Sequence, residues 1–396
     1  MAIDTPARIA ILGAGPSGLE AALYARFLGY DVLIYERGEV ASAVRRCGHI
    51  RLFAPFGLNR SPLGLAAIQA HDDNYVPPAD EDFLTGRQWL DNYLLPLSQT
   101  DLLSDHLRLG TTVLAVGKEE LLKADMPGHE DRGDWSFRVL AKNADGVEQI
   151  DHFDAVLDCT GVYEPNWLGH GGIPAIGEIA LREKIEYHLP DIAGEPRDRY
   201  AGKHTLLIGA GMSAATNAVA LATLAQTEPN TRVTWIARRE GAAGSGGPIL
   251  LQENDPLPTR TALAQDANSI AAGGGAVTYW PRTVAENISE SANGFEVELS
   301  GQHAGNIQVD SIIANVGFRP NREISRELQL ATCFATDATA ALCHPEANYY
   351  ILGGKSAGRR PDFFFAHGLD QIRDVFTILG DRPTLDLYAS AMKLVR

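Results

Sequence analysis

The sequence predicts an α/β protein built on two Rossmann-like dinucleotide-binding units, and three observations carry that reading. Residues 8–24 read RIAILGAGPSGLEAALY: an apolar run, a glycine turn and a helix of small residues. The same order returns at 204–221 as HTLLIGAGMSAATNAVAL. Finally, DAVLDCTGVYEP at 154–165 and DSIIANVGFRP at 310–320 each place an aspartate seven residues before a glycine, followed by an aromatic and a proline. Each segment lies downstream of its own glycine turn, so the chain reads as two related halves.

Taken in order, Ile9–Leu12 is expected as a buried strand, Leu19–Leu28 as a helix packed through small residues, and Val32–Tyr35 as a second strand ending at Glu36. Residues 45–105 are mixed, with helical patterning around Trp89–Leu97. Thr111–Val116, Trp135–Ala141 and Phe153–Leu157 read as strands, the last running into CTG. Residues 161–203, rich in Gly, Pro and charge, suggest a crossing between domains. A second strand–turn–helix–strand unit fills 205–237. Strands are expected near 276–280, 295–299 and Ser311–Val316, and a last helix at Leu369–Leu379.

The glycine turns carry the chemistry. In GAGPSG, Gly13 permits the tight turn, Gly15 lets the backbone approach a pyrophosphate, and Gly18 lets helix and strand pack closely. Pro16 and Ser17 open the helix, whose free N–H groups and partial positive charge suit phosphates. Glu36, followed by Arg37, ends the next strand, where a carboxylate accepts hydrogen bonds from ribose hydroxyls. In GAGMSA, Gly209 and Gly211 repeat the essential glycines, Met212 and Ser213 open the helix, and Ala214 replaces the third glycine. The strand VTWIA ends in Arg238 and Arg239 rather than an acid. A guanidinium pairs bidentately with a 2′-phosphate that an acid would repel; two arginines on a solvated loop are the plainer alternative. Two grips of different electrostatic character imply two dinucleotides, FAD at the first and NADPH at the second, and hydride transfer between them.

The totals set limits. With 396 residues the chain has room for about two or three domains. A formal charge of −16 argues against nucleic acid or an anionic membrane as main partner. The N-terminal apolar stretch is interrupted by Gly13, Gly15, Pro16 and Gly18 and lacks signal-peptide features, and no run approaches a membrane span. Cys47, Cys159, Cys333 and Cys343 form no C-x-x-C or metal-type cluster, which fits a reducing cytoplasm.

GAGPSG with Glu36, DAVLDCTGVY, YAGKHTLLIGAGMSA and NVGFRP occur in the order found in two-dinucleotide-binding-domain flavoproteins, and the chain resembles that family over nearly its whole length. The family includes flavin-containing and N-hydroxylating monooxygenases and thioredoxin- and glutathione-reductase-like enzymes. The resemblance implies a discontinuous FAD domain, 1–164 with 317–396, interrupted by an NADPH domain at 165–316. Gly161 and Gly317 would then end the hinge strands.

The same resemblance frames a choice between oxygenase and reductase. The family's reductases use a cysteine pair near the flavin; here no such pair exists and position 17 is serine. Cys47 lies where some relatives place theirs, and it is either a thiol activated by Arg45 and Arg46 or a small packed residue. CGHIRLFAPFGLN at 47–59 resembles a monooxygenase segment near the flavin ring, which gives His49 and Arg51 roles in polarising the flavin or binding an acidic substrate group, with Phe53 and Phe56 as pocket walls. His188 reads as an ordinary loop histidine. A helix beginning near Gly368–Leu369 would aim its amides at the flavin. Relatives usually carry Gly-Asp at the preceding strand end. Here Gly353-Gly354-Lys355 stands instead, and Lys355 is read as a surface lysine. The leading expectation is a cytoplasmic monooxygenase in which NADPH reduces FAD and O2 forms a C4a-(hydro)peroxyflavin that oxygenates a small molecule. An NADPH-dependent reductase of a disulfide, quinone or other acceptor comes second, and a non-catalytic dinucleotide sensor third. A homo-oligomer is compatible with the sequence, which does not specify one.

Overall fold

The computed structural model describes residues 3–241 and 247–392. The chain divides into two compact units: the first runs up to Glu164 and resumes at Arg319, and the second is Pro165–Phe318. Gly317 therefore lies in the second unit.

The first unit opens with β1 (Arg8–Leu12), α1 (Pro16–Phe27) and β2 (Asp31–Tyr35). The short α2 (Ser42–Arg46) and α3 (Pro62–His71) follow. The stretch expected to be helical around Trp89 is helical from Gly86 to Gln99, with π-helical turns at Leu90–Leu94. Its start is fixed by a capping box between Thr85 and Gln88. Next come β3 (Leu107–Arg108), an antiparallel sheet of β4 (Thr112–Lys118), β5 (Phe137–Lys142) and β6 (Glu148–Phe153), and β7 (Ala155–Asp158).

The second unit contains β8 (His204–Ile208), α4 (Met212–Thr227) and β9 (Arg232–Ile236), then α5 (Pro258–Gly273) and β10 (Val277–Trp280). An antiparallel meander of β11 (Thr283–Ser291), β12 (Gly294–Gly301) and β13 (Gly305–Val309) leads to β14 (Ser311–Ala314). The chain then supplies the first unit with β15 (Tyr349–Ile351), α6 (Phe365–Leu379) and α7 (Leu387–Ala391). The last helix is thus α7. The helix expected at Leu369 starts four residues earlier, at Phe365, where His367 Nδ1 accepts from the Phe364 amide at 3.2 Å.

Each unit is organised by a parallel sheet. In the first the strand order is β15-β7-β1-β2-β3, with Leu12 beside Tyr35 on one side and Asp158 on the other. In the second the order is β10-β9-β8-β14. The central strands read as unbroken apolar runs because both sheet faces are covered; Ile9, Ala10, Ile11 and Leu12 have no exposed surface. Parallel register gathers every strand's C-terminal end on one edge, and both glycine turns lie there.

Candidate functional site

The first unit carries a cleft along the C-terminal edge of its sheet. Its lining comes from four loops: Gly13, Gly15, Pro16 and Ser17 after β1; Glu36 and Arg37 after β2; Cys159, Thr160, Gly161 and Tyr163 after β7; and Gly353 and Gly354 after β15. Ala41, Ser42 and Val44 close one side.

Sterics show why glycines stand here. Gly13 has φ +98°, and a Cβ on it would lie 2.8 Å from the Cys159 carbonyl oxygen. A Cβ on Gly18 would collide with the Gly13 carbonyl oxygen. Gly15 differs: a Cβ there would meet nothing within 4 Å, and the same holds for Gly354. Gly13 and Gly18 build the turn, whereas Gly15 and Gly354 leave bare backbone facing the cleft. No side chain caps the first turn of α1, so its amides are open to an anion.

Glu36 is 9% exposed, and both its oxygens are oriented by backbone. Oε2 accepts from the Ala14 amide at 3.0 Å and Oε1 from the Gly38 amide at 2.9 Å. Each oxygen keeps a lone pair for a ligand hydroxyl. The bare glycines, open amides and fixed carboxylate fit the pyrophosphate and ribose of FAD. Ser17 sits between two further glycines: a Cβ on Gly353 would lie 2.6 Å from its hydroxyl oxygen, and one on Gly368 would lie 3.2 Å from it. Gly368 is buried and half-buried Leu369 packs on the core, so the start of α6 is held against the start of α1.

Behind the cleft lies a buried network. Lys355 donates to Asp158 Oδ2 at 2.6 Å and to the Thr160 hydroxyl at 2.8 Å, and the Tyr349 hydroxyl donates to the same carboxylate oxygen at 2.8 Å. The Lys355 and Asp158 side chains are both 0% exposed. Lys355 is therefore not a surface lysine: the turn after β15 folds it back under the sheet edge, onto a carboxylate 197 residues away. Burial alone would raise the Asp158 carboxyl, but the Lys355 ammonium and the hydrogen bonds from Lys355, Thr160 and Tyr349 hold it below the ordinary range. Asp158 and Thr160 lie within the DAVLDCTGVY segment, which assigns them no role of their own; the one hint is an acid at the last position of an otherwise apolar strand.

The predicted catalytic trio lies on the segment after α2. Cys47 is half-buried, and His49 and Arg51 are exposed; none of them lines the cleft. The segment is pinned to the turn at 85–87, with the Gly86 amide donating to the Ile50 carbonyl at 2.9 Å and the Arg87 amide to the Gly48 carbonyl at 2.8 Å. Arg51 donates from Nε to the Phe83 carbonyl at 3.2 Å. Tyr163, which lines the cleft and is 42% exposed, lies within electrostatic reach of Cys47 and Glu36. Phe56 is not a pocket wall: it is 1% exposed and meets Tyr93 edge-on in the core. Cys159 is buried, and burial drives its thiol far up.

The second unit repeats the construction. Gly209 has φ +135°, and a Cβ on it would collide with the Asn315 carbonyl oxygen, while one on Gly211 would meet nothing within 4 Å. Ala214 is fully buried in α4, and Met212 and Ser213 are half-buried at its start. The internal echo thus has a physical content: Cys159 and Asn315 occupy the same place in it, and each presses its carbonyl on the first glycine of its own fingerprint. Asn315 also joins a network invisible in the sequence, accepting from the buried Asn217 at 2.7 Å and donating to the His188 carbonyl at 3.0 Å. Arg238 and Arg239 follow β9 with exposed side chains, on the sheet edge that carries Gly211. An open glycine and exposed guanidinium groups on one sheet edge fit a phosphorylated dinucleotide.

Two parallel sheets, each with a glycine turn opening onto its C-terminal edge, give the chain a fold of two Rossmann-like units. No described protein-family profile matches the chain. Mouse flavin-containing monooxygenase 5 is 26% identical over 252 residues, covering 62% of this chain and 44% of its own length. The chain spans less than half the length of that relative. Among solved structures, the bacillithiol disulfide reductase of Bacillus cereus superposes with a TM-score of 0.68 at 17% identity, covering 95% of this chain and 99% of its own. The cadaverine monooxygenase DfoA of Erwinia amylovora, bound to FAD, gives a TM-score of 0.67 at 14% identity, covering 96% and 95%. The chain shares the fold of these two-domain FAD/NAD(P)-binding oxidoreductases and is similar in sequence to the flavin-containing monooxygenases. No helix among the described residues is long and apolar enough to cross a membrane.

Proposed function

We propose that the chain is an FAD-dependent monooxygenase that holds FAD in the first unit, takes its electrons from NADPH held by the second, and transfers one oxygen atom from O2 to a small molecule. The observation that carries this reading is the cleft in which Gly15, Gly354 and the Glu36 carboxylate offer bare backbone and a fixed acceptor on one sheet edge. Bound there, FAD would supply the two-electron chemistry that side chains lack. The chain's part is to hold the pyrophosphate at the α1 amides, fix the ribose at Glu36 and select the phosphorylated nicotinamide through Arg238 and Arg239.

An oxygenase is favoured over a dithiol reductase by the state of the cysteines. All four are free, and Cys159, which lines the cleft, has its thiol driven up by burial. A thiolate relay needs the opposite shift. The reductase reading rests on Cys47, which is half-buried and within electrostatic reach of Tyr163 in the cleft lining.

The test is to reduce the purified yellow protein with NADPH under argon, then admit labelled oxygen together with small amines or sulfides. Incorporation of one labelled atom into product supports the oxygenase. Oxygen-independent turnover of a disulfide or quinone, abolished by Cys47→Ser, would establish the reductase instead. Colourless protein that refuses added FAD would end both readings.

A further inference from the structure

We propose that Lys355 is a positioning residue for the dinucleotide cleft, its ammonium tying the Cys159–Gly161 turn to the Gly353–Gly354 turn so that two backbone walls keep the spacing a pyrophosphate needs. The inference rests on reading that cleft as the FAD site.

Three features support it. First, the contacts are directed at the turns themselves. Asp158 Oδ1 accepts from the Thr160 amide at 3.2 Å and from its hydroxyl at 2.7 Å, Oδ2 accepts from Lys355, and Lys355 reaches back to the Thr160 hydroxyl. The hydroxyl is therefore donor to one partner and acceptor from the other, and cannot rotate without losing both. Second, the turn carrying Lys355 is held at both ends. The Leu352 amide donates to the Asp158 carbonyl at 3.0 Å. Gln371 of α6 accepts from the Gly353 amide at 3.0 Å and donates to Ser356 at 2.7 Å, and Ser356 donates to the Gly353 carbonyl at 2.8 Å. Third, the charge has a sign. Arg322 lies within electrostatic reach of both Asp158 and Lys355, so two cations face one carboxylate behind a cleft suited to an anion. Removing the lysine alone would leave the buried Asp158 charge without its closest partner and reverse part of that field.

The full-length protein, stripped of flavin, is titrated with FAD while quenching of flavin fluorescence is followed, with NADP+ binding and thermal unfolding measured alongside. Lys355→Met should weaken FAD binding by roughly tenfold or more while NADP+ binding stays as in the wild type. Asp158→Asn combined with Lys355→Met should bind FAD more tightly than Lys355→Met alone, because the uncompensated charge is gone. Thr160→Val should weaken FAD binding and Thr160→Ser should restore it, which a role in side-chain packing would not produce. Wild-type FAD affinity in Lys355→Met overturns the proposal. If that variant fails to fold, wild-type affinity in Thr160→Val overturns it. Failure of the wild-type chain itself to bind FAD would sink the underlying site reading, a result distinct from either.

Discussion

At the scale of single residues, the three glycines of the first fingerprint do separate jobs, and their neighbours tell the jobs apart. Gly18 is sterically obliged, since a Cβ would run into the Gly13 carbonyl, whereas Gly15 has open space before it. Gly18→Ala should therefore destabilise the apoprotein by about 1–3 kcal/mol, read as a lower melting temperature. Gly15→Ala should leave the apoprotein's melting temperature within error and weaken FAD binding by about tenfold, because its methyl group stands where a phosphate would approach. Equal effects of the two substitutions on stability would refute this division of labour. These glycines were legible because a turn of fixed geometry imposes residue types at fixed spacing. Lys355 was not, because nothing local to a lysine reveals a carboxylate 197 residues away. Phe56 and Asn315 were obscured for the same reason: an aromatic reads alike whether it meets a ligand or Tyr93, and an asparagine does not announce which buried partner it will find.

Among secondary-structure elements, the sequence located those whose periodicity or turn chemistry was strong. Missed, besides the short α2, β3 and α7, were α3, β6, β11, β13, β15 and α5, and the reason differs by element. β15 has three residues, too few for a pattern. α5 packs mainly through Ala264, Ala267 and Asn268, so its buried face lacks the large apolar residues that make a helical stripe visible. A further contact between elements is the buried carboxyl of Glu20 on α1, which accepts from Tyr93 in the π-helical turn and lies beside Ser61, the N-cap of α3. Burial, opposed by those hydrogen bonds, raises Glu20 from an ordinary 4.5 to about 7. The sign follows from proton counts: between these values the folded chain keeps a proton that the unfolded chain has released, so stability falls as pH rises through that window. The loss is about 3 kcal/mol and levels off above pH 7. Glu20→Gln removes the titration, so its melting temperature relative to wild type should climb from pH 5 to pH 8. A pH-independent difference would show that Glu20 does not titrate in this range.

For the whole molecule, the consequence to test is that each unit responds to its own ligand. Each has its own parallel sheet and its own buried clusters, so each can be stabilised separately. A ligand that binds only the folded state adds RT ln(1 + [L]/Kd), about 2.7 kcal/mol at a hundredfold excess over Kd. FAD in excess should raise the calorimetric transition of the first unit, and NADP+ that of the second. NAD+ at the same concentration should do less than NADP+ if, as proposed, the exposed Arg238 and Arg239 meet the phosphate that NAD+ lacks. Arg238→Ala combined with Arg239→Ala should abolish the difference between NADP+ and NAD+ while leaving the response to FAD intact. If the double variant still distinguishes the two nicotinamides, the arginines are solvated loop residues and the phosphate is recognised elsewhere. If FAD and NADP+ shift one and the same transition, the two grips do not belong to thermodynamically separate units, and the paired arrangement read from the repeated glycine turn holds for the fold but not for the energetics of binding.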